Sequence, residues 1–373
     1  MRIRVVFLTR SLEQGGTERQ LATLVPRLNK DRFEVSVITL YSGGRFEATL
    51  TENNIPVINL NKRGRWDLLV LWRLVAELRK IRPAILHSYL VEPNLIAVLI
   101  KPLIKDSRVV WGIRASDVDR SNNDWFTRLN FRLQTLFSSS ADLAIFNSGA
   151  GRDYHFGLGF KTSKTIVIHP GVDIEEFKPD RESRTAVRQQ WAQDEKTILI
   201  GLIGRLDPIK DHPTFLRSAA ALARERSGCA FVCIGEGAGE YADGLRRLGD
   251  ELGLSDRLIW AGNRADMPAV YNALDIVCCS SLSEGLPNAV AEAMACDVPC
   301  VVTDVGDSAM LVGDTGIVVF VNDSQALIDG LKRCIDNLPR VGRPSPRERI
   351  MNSFDVRRLV ERTEAELSAL ASN

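Results

Sequence analysis

Short runs of apolar, often β-branched residues alternate along this chain with longer stretches whose apolar positions recur at helical spacing. In the first half the order is RIRVVFL, a helical pattern over 17–30, FEVSVITL, 66–80, AILHS, 93–104, RVVWGI, 124–138 and ADLAIF. The second half repeats it with TILIGLIG, 212–226, CAFVCIG, 239–252, RLIWAG, 266–273, DIVCCSS, 287–296 and VPCVVT. Strand and helix in steady alternation predict a parallel sheet wrapped by helices, so the fold class is α/β with two doubly wound, Rossmann-like domains. Between them, TIVIHPGVDIEEFKPD joins a strand, a Pro-Gly break, an acidic stretch and Pro179, the composition of an interdomain connection. The predicted division is a first domain over 1–170, a linker over 171–195 and a second domain over 196–353. A C-terminal amphipathic helix within 354–373 would pack across the domains.

Length and composition fit this picture. A chain of 373 residues with 45% apolar and 25% charged positions suits two soluble globular domains and excludes disordered or fibrous classes. The net charge of +1 hides an asymmetry, because residues 1–170 carry about 25 Lys and Arg against about 15 Asp and Glu. A basic first half suits an anionic partner such as a membrane surface or a phosphorylated substrate; a dispersed solvated surface is the bland alternative. The seven cysteines all lie in the second half, without zinc-binding spacing, and read as buried thiols in a reducing cytosol. The run Val5–Leu8 is too short for a signal peptide, and Arg73 and Lys101 interrupt the longest apolar segments before they could span a bilayer. The expected location is cytoplasmic.

In an open α/β sheet, ligands bind beyond the carboxyl ends of the strands, which directs attention to four clusters. In TRSLEQGGTERQ, Gly15 and Gly16 stand between the first strand and a helix starting near Thr17, where backbone N–H groups can approach an anion; a plain structural turn reads the same way. In GLIGRLDPIKDHPTF, Arg205 and Lys210 offer a planar fork and a mobile point charge, a pair suited to a departing diphosphate. In CIGEGAGE, Gly235, Glu236 and Gly237 join strand to helix with little bulk beside a ligand. In CSSLSEGLPNAVAEAMA, Glu284 precedes a Gly285, Leu286, Pro287, Asn288 turn and Glu292 lies on the helix behind it. N–H groups from Gly285 to Asn288 would meet a phosphate, while the carboxylates accept from sugar and ribose hydroxyls. The small and apolar neighbours of Glu292 place it on a largely buried helix, where an idle carboxylate would be costly.

This ordered set, with HPGVDIEEFKP between the halves, resembles the retaining glycosyltransferases of the GT-B fold, in particular glycosyltransferase family 4. The resemblance covers nearly the whole chain. It implies two Rossmann-like domains facing a cleft, a nucleotide-sugar held mainly by the second and an acceptor mainly by the first. By that likeness Arg205 and Lys210 stabilise the leaving diphosphate, Glu284 orients the transferred sugar and Glu292 holds the ribose. Gly16 and the loop of Gly262, Asn263 and Arg264 also border the donor, and Gly15, His87, Arg114 and Asp117 mark the acceptor side. The implied activity is hexosyl or N-acetylhexosaminyl transfer from a nucleotide-sugar, UDP-linked by preference. The acceptor would be a lipid-linked or polysaccharide precursor at the cytoplasmic face of a membrane. No metal or other cofactor is expected, and no nucleic acid.

Two positions depart from the family pattern. Arg114 stands where a histidine is usual, which puts the family's acceptor-side chemistry in doubt, and Met310 in GDSAM takes an acidic position, so a donor contact there is missing or rearranged. Asp117-Val118-Asp119 has the form of a metal-binding Asp-x-Asp, a role that Arg205 and Lys210 make unnecessary. Helix 124–138 mixes aromatics with Arg128 and Arg132, as interfacial and domain-packing helices both do. A nucleotide-sugar 2-epimerase, or a catalytically degenerate regulatory subunit that binds a nucleotide-sugar or a partner transferase, would share this architecture. A dinucleotide-dependent dehydrogenase is disfavoured, since neither glycine turn reads G-x-G-x-x-G.

Overall fold

The structure, a computed structural model, describes residues 2–13, 15–64, 66–114, 125–162, 164–338, 342 and 344–372. The chain divides into two units: Met1–Gly171 with Val356–Asn373, and Val172–Asp355.

In the first unit the described strands are β1 (Ile3–Thr9), β2 (Phe33–Thr39), β3 (Val57–Asn59), β4 (Ile85–Tyr89), β5 (Arg108–Ile113), β6 (Leu143–Phe146) and β7 (Thr165–Val167). They form one sheet in the order β3-β2-β1-β4-β5-β6-β7, parallel at each pairing. Helices α1 (Gly16–Leu24), α2 (Arg45–Glu52), α3 (Leu69–Ile81), α4 (Val91–Ile100), α5 (Trp125–Leu136) and α6 (Gly149–Gly157) connect them. Because side chains alternate across a strand, Val6 and Leu8 join α3 and α4 in one apolar layer while Val5 and Phe7 join α1 in the other. That two-faced burial is why these strands read as continuous apolar runs.

The second unit repeats the plan with β8 (Ile198–Ile203), β9 (Cys229–Ile234), β10 (Leu258–Gly262), β11 (Ile276–Cys279), β12 (Cys300–Thr303) and β13 (Ile317–Val319), in the order β10-β9-β8-β11-β12-β13. Its helices are α7 (Arg181–Gln190), α8 (His212–Glu225), α9 (Glu240–Glu251), α10 (Met267–Ala273), α11 (Asn288–Ala295), α12 (Ser308–Val312), α13 (Ser324–Asn337) and α14 (Pro346–Ser353). Leu199, Val232 and Val277 pack with α10, α11 and α14 on one face, and Ile200, Phe231 and Cys278 with α8, α9 and α13 on the other.

Two expected boundaries shift. The stretch 171–195 is no free linker: from Val172 onward it is built into the second unit, where Val172 bridges to Asp355. Helix α7 supplies Arg184 and Arg188, which both reach the Asp275 carboxylate at 2.8 and 2.5 Å, and the Leu199 N–H donates to it at 2.7 Å. Arg188 also donates to the Ala273, Asp194 and Thr197 carbonyls, and these distant partners could not be read locally. The last helix, α15 (Val356–Ala371), was expected to pack across the domains; it belongs to the first unit, with Leu359, Leu367 and Leu370 against the α1 layer. A Cβ on Gly171 would come within 2.6 Å of Val356 Cα, so only glycine permits that approach. The alternation also left out α2, β3, α6, α12, β13, α13 and α14. The two strands among them have three residues each and lie at sheet edges, too short to show a period.

Candidate donor site in the second unit and pocket in the first

Strand order reverses between β8 and β11, which are hydrogen-bonded neighbours although two strands intervene in sequence. At such a switch point the loops leaving adjacent strands diverge and open a crevice beyond their carboxyl ends. Lys210 stands on the loop after β8 and Glu284 on the loop after β11. Their side chains meet as an ion pair, Nζ to Oε1 at 2.5 Å. Burial works against the ammonium, but the Glu284 charge and hydrogen bond hold Lys210 above its ordinary value. The Ser281 hydroxyl donates to the same Glu284 oxygen at 2.7 Å, and Cys279 Sγ lies 4.0 Å from it. Burial, and after it the Glu284 charge, pushes the Cys279 thiol up, so it stays protonated at neutral pH.

Several side chains fix these two loops. Ser280 donates to the Lys210 and Asp211 carbonyls, both at 3.0 Å, and the Leu282 N–H to the Ile209 carbonyl at 2.8 Å. Thr303, at the end of β12, donates to the Ser281 carbonyl at 2.6 Å. Sequence reasoning missed Ser280, Ser281 and Thr303; the run of small hydroxyls after β11 was the available signal. Asp211 caps α8 through the Thr214 N–H, which fixes where the loop carrying Lys210 ends.

Behind this pair, Glu292 is buried on α11 and accepts a hydrogen bond from Tyr271 of α10 at 2.8 Å. The burial expected from its neighbours is observed, and Tyr271 is the partner that sequence could not name. Helix α11 begins after Pro287, whose carbonyl takes the Val290 and Ala291 N–H groups. The turn of Gly285, Leu286, Pro287 and Asn288 therefore precedes and opens the helix as predicted. The Asp307 N–H ties it to the loop after β12 through the Gly285 carbonyl at 2.8 Å.

Gly235, at φ +136°, leaves β9 so close to the β8 loop that a Cβ would meet the Gly204 carbonyl oxygen at 2.1 Å. Glu236 accepts from the Asn263 N–H at 3.4 Å, and Gly237 packs on Leu206, which joins the loops after β8, β9 and β10. Arg205 is exposed and pairs with Asp207 at 3.4 Å. Arg264 is engaged by Asp266 at 2.6 Å and Gln190 at 3.1 Å and lies over the Trp191 ring, so its guanidinium is committed locally. Met310 is partly exposed on α12, where Arg349 holds its carbonyl and that of Leu311.

The remaining predicted positions lie in the first unit. Gly15 caps α1, and Gly16 is its first residue, one earlier than expected. His87 falls within β4 rather than closing it; it is 1% exposed and packs on Tyr89 and Phe7 with ring centroids 4.6 and 5.2 Å away. Burial, and after it the Arg114 charge, lowers its pKa to about 3, so the imidazole is neutral. His87 is therefore a buried core residue of the first unit. Arg114 follows β5 and lies over the Tyr89 ring at 4.7 Å. Asp117 and the Asp117-Val118-Asp119 triplet lie outside the described residues. Arg114 lines a pocket of about 570 Å³ with Arg10, Tyr41, Lys62, Leu90 and Phe131, set where β1 to β5 end. Among the described residues no cluster of three His, Cys, Asp or Glu could hold a metal ion, and no helix is long and apolar enough to cross a membrane.

Two doubly wound units, the second with its acid and base at the switch point, define the GT-B class of fold. Family models agree with that assignment half by half: "Glycosyltransferase Family 4" matches residues 14–176 and "Glycosyl transferases group 1" matches 197–337. This chain belongs to the family 4, group 1 glycosyltransferases. It is similar to the D-inositol 3-phosphate glycosyltransferase of Mycolicibacterium smegmatis, 34% identical over 48% of this chain and 41% of that protein. A longer match reaches the lipopolysaccharide core biosynthesis mannosyltransferase LpsB of Rhizobium meliloti, 26% identical over 75% of this chain and 76% of that one. The fold is shared with Anabaena Alr3699/HepE, solved in complex with UDP and glucose: TM-score 0.86, 23% identity, 99% of this chain and 100% of that one. The match spans about two-fifths of the mycobacterial relative's length.

Proposed function

We propose that this protein is a retaining, metal-independent glycosyltransferase. It moves a hexosyl or N-acetylhexosaminyl group from a UDP-linked sugar to a lipid-linked or polysaccharide-precursor acceptor. The observation that carries the reading is the Lys210–Glu284 pair at the switch point of the second unit. One ligand bearing both a diphosphate and a sugar matches an ammonium and a carboxylate fixed side by side. Lys210, with Arg205, balances charge that grows on the leaving diphosphate, and Glu284 accepts from hydroxyls of the transferred sugar. The acceptor hydroxyl attacks on the face the diphosphate leaves, which preserves anomeric configuration, and its proton passes to that diphosphate. Family membership supports this reading, as do the UDP and glucose of the Anabaena protein and the lipopolysaccharide role in the name of the Rhizobium one.

Action at the cytoplasmic face of a membrane is part of the proposal. Trp66, Leu68, Leu69 and Trp72 are exposed around the start of α3, and Trp125 and Leu129 are exposed on α5 beside Arg128 and Arg132. Tryptophan and basic residues of this kind suit a lipid headgroup region. The chain should co-sediment with vesicles containing an anionic lipid at low salt, and Trp66→Ser with Trp72→Ser should reduce the bound fraction. No co-sedimentation at low salt would remove the membrane from the reading.

The deciding experiment incubates the protein with UDP-, GDP- and ADP-sugars in EDTA without acceptor, following thermal stabilisation and slow nucleotide release. Stabilisation by a UDP-sugar with hydrolysis and retained sugar identity supports the transferase. Epimer formation would replace it with a 2-epimerase, and absence of donor binding with a regulatory subunit.

A further inference from the structure

The first-unit pocket has a chemistry that its position alone does not explain. Among the described residues three cations line it, Arg10, Lys62 and Arg114, against one carboxylate, Glu92. That carboxylate is spent on Lys62, 2.7 Å from its ammonium, which also donates to Tyr41 Oη at 3.2 Å. The two arginines are left, and each lies over an aromatic ring: Arg10 over Tyr41 at 5.5 Å and Arg114 over Tyr89 at 4.7 Å. A ring beneath a guanidinium fixes its plane and leaves its edge for a ligand. Arg114 Nε is buried with no acceptor among the described residues. Gln134 also lines the pocket; it is 2% exposed, and its Oε1 has no hydrogen-bond partner among the described residues. An unpaired buried carbonyl oxygen is costly unless a ligand donor meets it.

We propose that this pocket binds an anionic saccharide or polyol, with Arg10 and Arg114 gripping a fixed negative group and Gln134 accepting from a hydroxyl. Leu90, Pro93 and Phe131 supply apolar wall for the carbon face of the ring. About 570 Å³ suits a ligand of one or two sugar rings. The inference rests on the transferase reading for its role, as the acceptor's recognition element. The binding itself stands apart from turnover and is tested without a donor. The shared chemistry, a planar or tetrahedral oxyanion on a polyol, can come from a phosphomonoester or a uronic acid.

The test is isothermal titration of the intact protein with glucose 6-phosphate, glucuronate and glucose, repeated on Arg10→Gln/Arg114→Gln and on Arg205→Gln/Lys210→Gln. We expect one anionic sugar to bind at least about tenfold more tightly than glucose, each charge-assisted bond being worth roughly a factor of ten. That preference should vanish in the first-unit variant and persist in the second-unit variant. The stronger of the two ligands names the anion. Preference lost only with Arg205 and Lys210 would assign the anion to the donor side and overturn the proposal, as would equal affinity for all three sugars. Should the double variant misfold, Gln134→Leu keeps both charges and is expected to weaken anionic sugar and glucose alike, with the preference intact. If the donor experiment fails while anion binding maps to Arg10 and Arg114, the transferase reading falls and this one stands.

Discussion

Glu284 and Lys210 share one hydrogen bond, so each fixes the position of the other, and the Glu284 charge helps to hold Lys210 protonated. Replacing Glu284 by Gln keeps the shape, removes the charge that raises Lys210, and leaves the ammonium for the diphosphate. Transfer should fall about 100-fold or more, by analogy with loss of one preorganised polar group, while nucleotide affinity changes little. Equal loss of both, in single-turnover and binding measurements, would remove Glu284 from the sugar. Lys210→Ala should slow the chemical step by a similar factor, and a single-turnover rate equal to the parent's would contradict its role. Tyr271→Phe removes one donor from buried Glu292 and should cost about 1–2 kcal/mol in urea unfolding, with weaker nucleotide binding.

At the scale of elements, the donor site depends on how closely the loops after β8, β9 and β11 approach one another. Gly235 permits the closest of these contacts, at a backbone angle that L side chains rarely adopt. Gly235→Ala must displace the loop carrying Arg205, and donor affinity should drop at least about tenfold even where the fold survives. Unchanged donor affinity would show that this loop does not shape the site. Helix α7 offers a second case. Arg188 is buried and tied to Asp275 and three carbonyls, and Arg188→Met should destabilise the second unit by about 3–5 kcal/mol, read as a lowered urea midpoint. A loss below about 1 kcal/mol would mean that Arg184 alone can satisfy Asp275.

For the whole molecule, two buried histidines give stability a pH dependence. His87 is held at about 3, and His212 at about 4, the latter by burial and then by Lys210, against an ordinary 6.5. Both stay neutral in the folded chain, whereas the unfolded chain takes up protons as pH falls through about 6.5. The unfolded state then binds more protons, so stability is fully present above that value and declines as pH falls toward 4. His87→Phe should flatten that decline in urea midpoints measured between pH 7 and 4 and leave the midpoint near pH 7 little changed. An unaltered slope would show that His87 does not contribute to it.

The alternation of apolar runs and helical stretches determined two doubly wound units, because a strand buried on both faces must be apolar at every position. The order of loops after those strands determined the candidates, since a parallel sheet puts every such loop at one end; Lys210, Glu284 and Glu292 could be named without coordinates. What the sequence could not carry was pairing between distant residues. That Lys210 holds Glu284, that Tyr271 caps Glu292, and that 172–195 serves the second unit through Asp275 depend on which strands are neighbours. His87 shows the same limit: its residue type marks a reactive group, but a strand between two packed layers makes it a neutral part of the core. The aromatic rings beneath Arg10 and Arg114 likewise became visible only once β1, β2, β4 and β5 stood side by side, since charge is written in residue types while its surroundings are set by tertiary contact.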